Sequence, residues 1–136
     1  MSLDVGLAER MVTQPYPTMR LSFDDDGYYW FCYPFFEELA QRTGQMIDLF
    51  DGAWFSDAKL DDLLRTLNQI VERAREMPGV WEQCVGHSMG SHIAPTPPVP
   101  IYKPVSRDDL LPLVTQFIEL VNEAKHGGFW IACLGD

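Results

Sequence analysis

The sequence predicts a single α+β domain, with a mainly antiparallel or mixed sheet packed with three helices. Three observations carry that expectation. Leu60, Leu63, Leu64, Leu67, Ile70, Val71, Ala74 and Met77 recur at the period of a helix with one apolar face. Short apolar or alternating runs bounded by Pro, Gly and Asp lie on both sides of that stripe, as strands do. The chain has 136 residues, the size of one domain that buries about two-thirds of its unfolded surface.

Taken in order, residues 1–18 show little periodicity and end in Gln-Pro-Tyr-Pro, so they read as a loose lead-in to the domain 1–136. Met19 to Phe23 alternates apolar and polar residues, the period-two signal of a half-buried strand. Asp24, Asp25, Asp26 and Gly27 break it. Tyr28 to Phe36 holds seven of the chain's seventeen aromatic residues and feeds a helix through Phe36, Leu39, Ala40 and Thr43, with Gly44 as its stop. Pro34 either kinks that helix or opens its second half. Gln45 to Ser56 reads as a hairpin about Asp51-Gly52.

The long amphipathic helix follows, with Ser56 or Asp57 as its cap and Pro78-Gly79 as its end. Within it Leu64 and Leu67 are expected to be buried against the sheet. Val80 to Val85 is a strand, Gly86 to Pro98 an irregular stretch, and Val99 to Val105 an edge strand limited by Pro100 and Pro104. Ser106-Arg107-Asp108-Asp109 has the form of a helix start. Leu110, Val114, Phe117, Ile118, Val121 and Ala124 give that helix its apolar face, and Gly127-Gly128 closes it. Pro112 conflicts with the cap and argues for a later first turn. Phe129 to Leu134 is a final strand.

Composition bounds the function. A hydrophobic share of 46% with 12% aromatic residues excludes intrinsic disorder. Twenty acidic against ten basic side chains give a net charge of −10, which excludes nucleic acid as a partner because phosphate contacts need clustered Lys and Arg. The same balance disfavours an anionic membrane surface, and no apolar run reaches the length of a membrane span. A basic protein partner or a second copy of the chain is compatible. No basic start leads into an apolar signal segment, and Cys32, Cys84 and Cys133 are odd in number, far apart and in apolar contexts. They read as free thiols in a reducing cytoplasm.

Several patterns invite chemistry. Gly86-His87-Ser88-Met89-Gly90 matches the nucleophile elbow of α/β-hydrolases, in which a serine sits on a strained strand-to-helix turn. No helix can follow here, since the next residues are Ser-His-Ile-Ala-Pro-Thr-Pro-Pro. A small serine hydrolase using Ser88 with His87, His92 or His126 is thus the alternative, not the leading reading, and no catalytic residue is assigned. Cys84, His87 and His92 lack the paired spacing of a zinc site. Asp24 to Asp26 lack the alternating donors of a calcium loop, and an acidic turn at a helix entrance needs no metal. No metal or cofactor is expected.

The aromatic segment is the most unusual feature. Core packing accounts for much of it, because aromatic residues bury large areas. Seven aromatics in nine residues nonetheless surround a helix, which buries one broad face. Tyr29, Tyr33 and Glu37 lie four apart and form a second stripe, expected to border a partly exposed binding surface.

The strings Asp26-Gly27-Tyr28-Tyr29-Trp30-Phe31, Tyr33-Pro34-Phe35-Phe36-Glu37-Glu38-Leu39 and Thr43-Gly44-Gln45-Met46-Ile47-Asp48-Leu49 resemble a group of small uncharacterised bacterial proteins. The likeness extends over the long helix, Val80-Trp81-Glu82, Pro104-Val105-Ser106-Arg107 and Gly135-Asp136. It implies one domain and no catalytic residues. In size, acidity and aromatic content the chain is also similar to small immunity proteins that neutralise bacterial toxins. The expected function is therefore a non-enzymatic cytoplasmic protein-binding domain, immunity-like, with a structural homodimer as a further alternative.

Overall fold

The computed structural model describes residues 1–10, 17–88 and 97–136. Six strands and three helices follow one another as β1 (Ser2–Ala8), β2 (Thr18–Asp24), α1 (Gly27–Thr43), β3 (Gly52–Phe55), α2 (Ala58–Glu76), β4 (Val80–Ser88), β5 (Val99–Ser106), α3 (Arg107–Gly127) and β6 (Trp130–Gly135). They make a four-stranded sheet of order β2-β1-β6-β3 and a separate β4-β5 pair, antiparallel throughout. The α+β expectation is met.

Alternation puts Leu3 and Val5 of β1, Phe23 of β2, Ala53 and Phe55 of β3 and Ile131 and Cys133 of β6 into one buried core. The helices cover that face, with α3 across β6, β1 and β2 and α2 beside β3. Leu67, Ile70 and Ala74 of α2 and Val114, Phe117 and Val121 of α3 complete it. Here α2 packs chiefly between α3 and α1 rather than on the sheet, so Leu67 is buried as expected while Leu64 is only half-buried. The β4-β5 pair packs on α1, where the Trp81 ring lies 5.2 Å from that of Phe31, tilted by 58°.

The first departure from expectation is β1. Residues 2–8 are one of the two inner strands, paired with both β2 and β6. The alternation Leu3-Asp4-Val5-Gly6-Leu7 was its signal, interrupted by a glycine. That glycine sits at a register shift against β2, and a Cβ there would meet the Thr18 carbonyl oxygen at 2.2 Å. Close backbone approach at the bulge demands Gly6.

The second departure is the hairpin about Asp51-Gly52, which does not form. Only Gly52–Phe55 is a strand, and its partner is β6. Side chains take the backbone donors that a first arm would have used. Asp48 Oδ1 accepts from Phe50 N at 3.0 Å, Asp51 Oδ1 from Gly52 N at 2.7 Å, and Gln45 Oε1 from Trp54 N at 2.8 Å.

Helix ends also differ. Neither Ser56 nor Asp57 caps α2 through its side chain, and Ser106 makes no side-chain cap to α3. Instead Ser106 N donates to the Tyr28 hydroxyl at 3.2 Å, which ties the start of α3 to α1. Helix α3 begins at Arg107 despite Pro112, and α1 runs through Pro34 without ending. Both prolines are exposed, so the backbone carbonyl that each leaves without its helical partner can take water.

Candidate functional site

The candidate surface is built on the first half of α1. Asp26 caps the helix by accepting from Tyr28 N at 2.9 Å. Burial pushes its carboxyl pKa up, and the Tyr28 and Tyr29 N–H groups oppose that rise. Asp25 has a different task, accepting from the Trp30 indole Nε1 at 2.8 Å and so fixing the ring. The tilted Tyr33 ring then lies 5.0 Å from Trp30, with planes inclined by 47°. Trp30 and Tyr33 are both half-buried, and Glu37 one turn on is exposed.

Tyr29 requires a correction. It does not border a surface: its side chain is 1% exposed, its hydroxyl donates to the Ile47 carbonyl at 2.9 Å, and its ring packs on Trp30, Tyr33 and Phe36. The chain after Gly44 is the cause. It folds back along α1 and seats Ile47 and Leu49 in the core, roofing the face that Tyr29 occupies. Of the expected stripe, Tyr33 and Glu37 remain at the surface, and Trp30 takes the place of Tyr29. Spacings of three and seven residues from Trp30 also line one helix face, and the carboxylate at Asp25 was the clue to an oriented indole.

The electrostatics are one-sided. Desolvation raises the Tyr33 pKa, and the carboxylates of Glu37 and Asp48 raise it further. Asp25, Glu37 and Asp48 thus edge two aromatic rings. Lys103 Nζ donates to the Asp25 carbonyl at 3.2 Å and is the one cation bonded to this group among the described residues. Such a setting favours an arriving guanidinium or ammonium through the ring faces and the carboxylates together.

Of the hydrolase motif, Gly86, His87 and Ser88 lie within the described residues, at the end of β4. Ser88 lies in β4, paired with Val99, and its hydroxyl is 3.4 Å from the Val99 carbonyl oxygen. Ser88 is thus extended and paired as a strand residue, whereas the serine of an elbow sits on the strained turn after its strand. Met89, Gly90 and His92 lie outside the described residues. His126 sits in the last turn of α3, its Nδ1 2.7 Å from the Asn122 carbonyl oxygen. Cys32 and Cys133 are buried free thiols, and burial pushes both pKa values up, away from thiolate chemistry. Among the described residues no three His, Cys, Asp or Glu side chains converge as metal ligands, and no helix is long and apolar enough to cross a membrane.

No protein-family model, curated protein or solved structure matches this chain.

One strained residue lies elsewhere. Asp57, between β3 and α2, has φ 51° and ψ −121°, and it is the sole non-glycine residue with positive φ among those described. Lys59 N donates to the Ser56 carbonyl at 3.0 Å, closing a type II′ turn whose first central position favours glycine. Its carboxylate makes no capping bond that would repay the strain. Asp57→Gly should relieve about 1–3 kcal/mol of strain. Glycine's greater freedom in the unfolded chain offsets about 0.5–1 kcal/mol of that. The urea midpoint is expected to rise. A fall would mean that the aspartate holds the turn by a contact of its own.

Proposed function

We infer that this protein is a non-enzymatic, cytoplasmic binding domain that captures a basic protein partner, in the manner of an immunity protein. The observation that carries the reading is the Trp30–Tyr33 pair, 5.0 Å apart and edged by Asp25, Glu37 and Asp48. Tyr and Trp anchors with a charged rim are the usual makings of a binding hot spot, and a net charge of −10 steers cationic surfaces toward it. The long-range field speeds encounter, while the rings supply the short-range contact. Three free cysteines fit a reducing compartment.

Calorimetric titration with a Lys/Arg-rich peptide, against the same peptide with Glu at its basic positions, tests this. The basic peptide should bind, more weakly as salt rises. Tyr33→Ala and Glu37→Lys should each weaken it by about 1–3 kcal/mol. Equal binding of both peptides, or variants that bind as the native chain does, would overturn the reading.

A further inference from the structure

The β4-β5 hairpin carries apolar side chains that the other described residues do not cover. On β5, Val105 is fully buried against α1, and alternation places Lys103, Ile101 and Val99 on the same face. That face runs out past the start of the helix. Ile101 is 43% and Val99 58% exposed there, and Tyr102 on the reverse face is 55% exposed. Apolar groups continuing a core-facing row into water mark an interaction surface.

Charge decides which partner fits. Cys84 to Ser88 and Val99 to Tyr102 contain no Asp, Glu, Lys or Arg, within a chain of net charge −10. A basic partner gains nothing from this patch, and two copies of the chain repel each other over most of their surface. The uncharged patch is where a second copy can approach without meeting like charge. An apolar, uncharged surface also matches itself, as a two-fold contact requires. The mode of contact follows from the prolines. Pro100 and Pro104 have no N–H, and a strand keeps such residues with the nitrogen on its open edge. Edge-to-edge strand addition along β5 is therefore blunted, which leaves contact through the hairpin face.

We propose that two copies associate through the outer half of the β4-β5 hairpin, with Ile101 and Val99 at the contact. Its contact residues are not those of the Trp30–Tyr33 surface, and salt separates the two ideas. Screening strengthens association between two acidic copies, whereas it weakens capture of a basic peptide.

Sedimentation or light-scattering mass across a concentration series, at low and high salt, reads the result. The mass should rise toward twice 15.5 kDa, at lower concentration when salt is high. Ile101→Asp and Val99→Lys each change an exposed side chain, and a native circular dichroism spectrum and melting curve confirm that they fold. Each should raise the dimer dissociation constant at least tenfold, with basic-peptide binding unchanged. A mass that stays at 15.5 kDa at every concentration and both salt levels overturns the proposal, as does a dimer that both substitutions leave intact.

Discussion

Tyr29→Ala is expected to cost about 3–5 kcal/mol, the usual range for removing a buried aromatic ring, and to leave the Ile47 carbonyl without its donor. That loss approaches the whole stability of a small domain. Tyr29→Phe keeps the ring and removes the hydroxyl, so about 1–3 kcal/mol is expected for the unsatisfied carbonyl alone. Denaturant titration of the two variants separates packing from hydrogen bonding. Small losses in both would return Tyr29 to the surface role that the helical stripe suggests.

The same hydroxyl makes an alkaline prediction. Burial, then the Asp48 carboxylate, pushes the Tyr29 pKa well above the ordinary phenol range. The folded protein keeps this proton at a pH where the unfolded chain loses it, at about 10. Stability from the group is therefore complete below that pH and falls as pH climbs past it. In Tyr29→Phe the slope above pH ~10 should flatten. Cys32 and Cys133 ionise in the unfolded chain from about pH 8.5 and keep their own part of the alkaline loss. An unchanged slope above pH ~10 would contradict a buried, protonated Tyr29.

Leu67→Ala should cost about 2–5 kcal/mol, because the side chain is 1% exposed between helices that cannot close the cavity. Leu64 lies on the same stripe but is half-buried, so its truncation removes less apolar contact, on the order of 1 kcal/mol. Urea unfolding of the pair gives the ratio. Equal losses would mean that α2 is rotated about its axis relative to the packing described. Arg42 supplies an independent reference for that rotation, since its Nη2 donates to the buried Thr66 hydroxyl at 3.1 Å.

The sequence by itself determined the parts whose signals are local. The Leu60 to Met77 stripe, the Gly44 stop of α1, the Val80 strand and the closing Phe129 to Leu134 run need only periodicity and a terminating residue to be read. The acidic turn before α1 was legible in the same way, because Asp26 caps the helix that it precedes. Tyr33 and Glu37 were placed at the surface by helical spacing alone.

Tertiary structure decided what depends on residues far apart in the chain. Ser2–Ala8 is a strand because β6, more than a hundred residues away, supplies its second ladder. Gln45 to Phe50 is not a strand because side-chain acceptors satisfy its turn donors and because Ile47 and Leu49 are drawn into the core over α1. That one fold-back buries Tyr29 and leaves Trp30 beside Tyr33. Helical spacing tells which residues share a face. Only the packing of another segment on that face tells whether it meets water, since burial is a property of the neighbours and not of the residue.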